Sequence, residues 1–160
     1  DYKATAGVDG NGGMGYNELE QLNSSANGKI KYYKDEQLKT EPNKAFFWSG
    51  NSNGIGGMAK AAELAKQNNG ITLEMLLESQ GIDLPKWDFN DPVTIQVWEN
   101  ASASYAEQAS GEVRAIIGSK INPDGVWNSI ELPILKENQN VSKIIVIDPE
   151  TLVEKIIFMR

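Results

Sequence analysis

Cysteine and histidine are both absent from this 160-residue chain. Without cysteine there is no disulfide framework, no thiol nucleophile and no cysteine-held zinc. Without histidine, the Ser-His-Asp and Cys-His mechanisms and the commonest metal ligand are excluded as well. Arginine occurs only at positions 114 and 160, so two-pronged phosphate contacts are scarce. The net charge is −7 and the isoelectric point is near 4.7, which argues against nucleic-acid binding by charge. No apolar run is long enough to cross a bilayer, and the first residues do not read as a signal peptide. Any chemistry must therefore run on carboxylates, hydroxyls, lysines, aromatics and main-chain groups.

Hydrophobic residues make up 40% of the chain, enough for one domain with a core. Residues 1–28 are rich in Gly, Asn and Ser and read as a linker-like arm, with a short helix over 17–22. The chain opens without Met and reads as a piece of something longer. A short strand is expected over 30–33, and the domain proper over 29–160. Ala45-Phe46-Phe47-Trp48-Ser49 is abruptly apolar. Behind it lies a glycine-rich loop, residues 51–57, and then a helix over 58–68 with Gly70 past its end. Such a loop either presents amides to a phosphate or is simply a mobile surface segment. A second helix is expected over 72–79, with Thr72 as its N-cap and Gly81 as its stop.

The stretch 91–131 organises the rest. Asp91-Pro92 before an apolar run marks a helix start, because Asp caps free amides and Pro lacks only an N–H that has no partner there. Trp98, Ser102, Tyr105 and Ala109 then share one helical face. Residues 113–117 read as a strand, Asn122-Pro123-Asp124-Gly125 as a turn, and 126–132 as a second strand limited by Pro133. On that strand Glu131 would face away from Ile130 and Leu132, with Trp127 and Ser129 on its side. The run 143–148 reads as a strand buried on both faces, and 152–159 as its antiparallel neighbour. The fold class is α+β, a helical N-terminal half packed on a small mixed sheet in the C-terminal half. Read alone, Trp48 and Trp98 are more often plain core, and a lone strand Glu is more often a solvated edge residue.

Four segments in order change those odds. Phe47-Trp48-Ser49, Thr72-Leu73-Glu74, the stretch from Pro92 through Trp98 and Ser102 to Tyr105-Ala106-Glu107, and Ser129-Ile130-Glu131 together resemble the ADP-ribosyl cyclase / NAD glycohydrolase family. The resemblance covers roughly residues 45–148 and implies an ADP-ribosyl cyclase-like fold. It implies that Glu131 is the catalytic carboxylate and that Glu74 sets cyclisation against hydrolysis. Trp48 and Trp98 would flank the nicotinamide, and Ser49, Ser102 and Trp127 would contact ribose and phosphates. NAD or NADP would be substrate, with no cofactor and no metal. The chain departs from the family in lacking cysteine and in carrying Gly50 where an Arg usually follows Trp-Ser; Lys120 or amides of the 50–57 loop are the available substitutes.

The expectation is a mainly hydrolytic NAD(P) glycohydrolase. Absence of cysteine suits a protein that works in a reducing interior or travels unfolded. With the linker-like arm, this points to a toxin domain of a contact-dependent inhibition or similar delivery protein. It would be carried by a larger secreted or surface protein and act in a target-cell cytoplasm. It would be monomeric apart from a cognate immunity protein, bind no nucleic acid and insert stably in no membrane. The rival readings are an ADP-ribosyltransferase, or a non-catalytic nucleotide- or protein-binding domain on the same fold.

Overall fold

The structure is a computed structural model, and it describes residues 32–160. The arm over 1–28, the helix over 17–22 and the start of the strand at Ile30 lie outside the described residues; Tyr32 and Tyr33 lie in a bend rather than a strand. Among the described residues the chain divides into two compact units, one of 32–37 and Gln80–Asn100, the other of Leu38–Ser79 and Ala101–Arg160.

The larger unit is built on a mixed sheet. Strand β1 (Ala45–Ser49) leads into a two-stranded hairpin, β2 (Asn51–Ser52) and β3 (Ile55–Gly56), and then into helix α1 (Gly57–Gln67). Strand β4 (Ile71–Thr72) returns beside β1, and helix α2 (Leu73–Ser79) follows, its Met75 amide donating to Thr72 Oγ1 at 3.2 Å. Thr72 is thus the N-cap that its position suggests. After the other unit come strand β5 (Gly111–Ile117), helix α4 (Leu132–Glu137), strand β6 (Val141–Ile147) and strand β7 (Glu154–Met159). The strand order is β4-β1-β5-β6-β7; the first four are parallel and β7 is antiparallel to β6. The mixed helix-and-strand fold is as expected, with the addition that β1 and β4 bring two strands of the sheet from the N-terminal half.

Alternation along β1 sorts its side chains. Phe46 joins Ile116, Ile145, Ile147 and, from α1, Ala61, Leu64 and Ala65 in one core cluster, with Trp48 and Met75 packed against it. Phe47 points to the opposite face, where it meets Tyr105 at 5.0 Å and Trp127 at 5.8 Å between ring centroids. Each of these buried aliphatic or aromatic side chains contributes roughly 1.5–3 kcal/mol by leaving water. Tyr105 is fully buried; its hydroxyl donates to Ile71 O at 2.6 Å and accepts from Phe46 N at 3.1 Å, tying β4 and β1 to the same ring.

The expected strand over 126–132 is not formed. Trp127–Glu131 is a π-helical turn running directly into α4. Ser129 N donates to Gly125 O at 2.9 Å, and the Leu132 amide reaches back to Trp127 O. Pro133 sits in the first turn of α4, directly after the π-helical turn, so it continues a helical run rather than ending a strand. The physical reason is tertiary. Helical spacing places Trp127, Glu131 and Leu135 on one buried face and leaves Ser129 exposed, whereas strand parity would have joined Ser129 to them.

The smaller unit holds a loop over 80–91. Helix α3 (Pro92–Glu107) contributes its first turns here and its last turns to the larger unit. Val93 N donates to Asp91 Oδ1 at 3.0 Å, so the Asp-Pro start operates as its chemistry suggests.

Candidate functional site

In parallel sheets, side chains gather where strands end and neighbouring connections leave toward opposite faces. Here that place is the carboxyl end of β1 and β5. The chain leaves β1 toward α1, on the Phe46 face, and leaves β5 toward the turn carrying Trp127, on the Phe47 face. Trp48 and Ser49 are the last residues of β1, and Glu74 lies in the first turn of α2, just beyond β4. The Trp48 indole N–H donates to Glu74 Oε1 at 3.1 Å, which fixes the carboxylate. Ser49 is half-buried, and its carbonyl accepts from Gly118 N at 2.9 Å.

Glu131 is buried, 8% exposed, and its carboxyl is hydrogen-bonded to the buried Ser102 hydroxyl. Its pKa is raised to about 8, first by burial and then by the nearby Glu74 charge, with the Ser102 hydrogen bond pulling against both. A buried carboxyl facing a second carboxylate has a strong preference for a cationic neighbour. Trp127, one helical turn before Glu131, is 4% exposed and packs on Phe47, so it forms a wall rather than an exposed stacking face.

Within the larger unit Trp48 is hydrogen-bonded to Glu74, and Glu131 to Ser102 with Glu74 in electrostatic reach. Trp127 lies one turn before Glu131, and Ser49 follows Trp48. The backbone that delivers Glu131 is helical rather than the expected strand. Trp98 belongs to the smaller unit, half-buried, with its indole N–H donating to Pro85 O at 2.8 Å. Tyr105, on the α3 face and in the Tyr105-Ala106-Glu107 segment of the resemblance, is the post that holds β1 and β4 beside the site.

The glycine-rich segment is not a loose loop. Asn51 and Lys120 exchange main-chain bonds, N to O at 3.0 Å and O to N at 2.9 Å, and Gly54 N donates to Asn51 Oδ1. Position 50 has a φ of +68°, and a Cβ there would overlap the Lys120 carbonyl, so no arginine fits on this main chain. Lys120, one of the suggested replacements, is held beside the hairpin by its own backbone. Among the described residues, no group of three or more acidic side chains is placed to hold a metal ion, and no helix is long and apolar enough to cross a membrane.

No family model and no curated protein sequence matches the chain. Solved structures do. An Aplysia cyclase complexed with substrate NGD and product cGDPR is 26% identical, with a TM-score of 0.51, over 69% of this chain and 50% of that one. An ADP-ribosyl cyclase complexed with N1-cIDPR is 26% identical, with a TM-score of 0.51, over 69% and 51%. CD38, described with a conformationally flexible covalent enzyme-substrate complex, is 20% identical, with a TM-score of 0.52, over 69% and 52%. The chain spans about half the length of these solved relatives. Its fold is ADP-ribosyl cyclase-like.

Proposed function

We propose that this chain cleaves the nicotinamide–ribose bond of NAD or NADP, releasing nicotinamide and ADP-ribose. The observation that carries the reading is Glu131, buried and bonded to Ser102 within electrostatic reach of Glu74, at the carboxyl edge of a cyclase-like sheet. The reaction suits this residue set. The bonding electrons neutralise the pyridinium nitrogen, so nicotinamide departs neutral and needs no general acid. The developing ribosyl cation at C1′ is stabilised by the Glu131 carboxylate, as carboxylates stabilise glycosyl cations. Glu74, steadied by Trp48, adds a second negative charge to that field. Ser49, Ser102 and Trp127 shape the ribose and phosphate side. NAD(P) is the substrate, and the reaction calls for no further cofactor.

Hydrolysis is the main outcome we propose. Cyclisation needs adenine folded onto C1′ in a closed site, and the hairpin tip at Asn53, Gly54 and Ile55 is exposed. Cyclic product should be a minor fraction when labelled NAD is turned over and the products are separated; a cyclic majority would contradict the open rim. The same experiment tests the activity itself, since label on protein would signify ADP-ribosyl transfer and no turnover a binding domain.

A pH dependence follows from Glu131. With a pKa of about 8 it is mostly protonated at pH 7 in the free protein. The pyridinium of bound NAD draws it toward the ionised form. Consequently kcat/KM should rise roughly tenfold per pH unit through pH 6–7.5 and level off near 8, while kcat changes less. A flat kcat/KM over that range would contradict the assignment. For Trp98, stacking on nicotinamide requires Trp98→Ala to impair turnover in a protein that remains folded. Packing alone would give only a folding loss, up to roughly 3–5 kcal/mol, with activity intact.

The biological setting we propose is a toxin domain of a contact-dependent inhibition or similar delivery protein. It would deplete NAD in a target-cell cytoplasm, be restrained in the producer by an immunity protein and otherwise act as a monomer. What supports it is the coincidence of an NAD-consuming residue set with a cysteine-free chain and a linker-like N-terminus. Expression in a bacterial cytoplasm should arrest growth and lower NAD; unchanged growth and NAD would remove it.

A further inference from the structure

The first strand of the glycine-rich hairpin is fastened, and the fastening leads away from the site to a residue with no part in the chemistry above. Ser52 is 3% exposed; its hydroxyl donates to Asp148 Oδ1 at 2.6 Å and accepts from Ser119 N at 2.9 Å. Asp148 follows β6 directly. Its second oxygen accepts from Glu150 N at 3.0 Å, Thr151 N at 2.8 Å and Thr151 Oγ1 at 3.1 Å. These donors hold its carboxyl below the usual range, so it remains an anion. One hydroxyl thus joins the hairpin to the segments that follow β5 and β6. The tie continues inward through Asn51–Lys120 to Gly118 N–Ser49 O, the last hydrogen bond before Trp48. Gly50 and Gly118 permit this close approach, because a Cβ at either would overlap the facing main chain of Lys120 or Asn51.

We propose that Asp148, acting through Ser52, is a positioning residue for the substrate end of β1. It holds the hairpin, and through it the main chain of Ser49 and the indole that Trp48 directs at Glu74. The proposal rests on the glycohydrolase reading for its consequence in turnover, but its structural half can be measured without activity. Only a carboxylate can accept on both sides at once. In Asp148→Asn the amide oxygen can serve only one side. Turned to the 150–151 amides, it leaves the amide NH2 donating to Ser52 Oγ and the Ser52 hydroxyl hydrogen without its acceptor. The tie is then weakened, whereas Asp148→Ala removes it. Ser52→Ala removes the tie from the other end, while Ser52→Thr keeps the hydroxyl.

The experiment is amide hydrogen exchange at Asn51, Gly118 and Ser119 together with NAD kinetics, on the full chain and these variants. Exchange at the three amides should quicken about tenfold in Ser52→Ala and Asp148→Ala and by less in Asp148→Asn, with Val113 in the middle of β5 unaffected. Because a displacement of reacting groups by about an ångström costs one to two decades, kcat should fall about tenfold or more with KM changed little. Ser52→Thr should restore both. Unchanged exchange in Ser52→Ala overturns the proposal, as does quickened exchange with parental kcat. Absence of NAD turnover in the parent protein overturns the glycohydrolase reading instead, and the exchange data then decide the tie on their own.

Discussion

Glu131→Gln should lose about 10²-fold or more of the NAD turnover while gaining stability at neutral and alkaline pH. The activity loss follows because glutamine keeps the shape and the Ser102 contact but removes the charge that faces the ribosyl cation. The gain in stability follows from linkage. Burial raises the folded pKa of Glu131 from 4.5 to about 8, so the group destabilises the fold increasingly as pH climbs from the unfolded pKa through the folded one. Below pH 4.5 both states are protonated and the variant gains nothing from this source. By pH 8 the penalty relieved is on the order of 4 kcal/mol as an upper figure, since each pH unit between the unfolded and folded values adds about 1.4 kcal/mol. A solvated edge carboxylate would leave stability nearly unchanged; burial in the helical turn gives Glu131 the opposite behaviour. Thermal melts of both proteins at pH 5 and pH 8.5 check the point, and curves that run parallel across that range would contradict the buried charge.

Tyr105→Phe should be the most costly conservative change in the larger unit. The ring is retained, so contact with Phe47 survives. The hydroxyl, however, satisfies Phe46 N on β1 and Ile71 O on β4 in a fully buried setting. Leaving those two main-chain groups without a partner should cost roughly 2–6 kcal/mol, at about 1–3 kcal/mol for each. Urea denaturation should show a lower midpoint with an unchanged slope. Because β1 carries Trp48 and β4 leads to Glu74, turnover should decline as well. A midpoint equal to the parent would mean that water replaces the hydroxyl without loss.

What could be read from the sequence was local chemistry. Asp91-Pro92 and Thr72 announced helix starts through their own side chains, and the β-branched run of β6 announced a buried strand. The residues around Glu131 were harder, because 129–132 alternates polar and apolar, enough to pass for the end of a strand. The spacing Trp127, Glu131, Leu135 was the available signal for a helix, and Pro133 masked it. Strand β4 has too few residues to leave a pattern; its pairing exists because α1 returns the chain beside β1. The hairpin tie depends on contacts 67 and 96 residues apart, and no local pattern encodes them. The site residues could be named because the four motifs fall in order, but which of them meet could only come from the sheet.

The central claim is that a buried Glu131 carboxylate breaks the nicotinamide–ribose bond. The most direct measurement is nicotinamide release from labelled NAD by the purified chain and by Glu131→Gln, with products resolved and folding of both verified. The account predicts nicotinamide and ADP-ribose in equal amounts from the parent and about 10²-fold less, or none, from the variant. Equal release by a folded Glu131→Gln protein, or none from either, would contradict it.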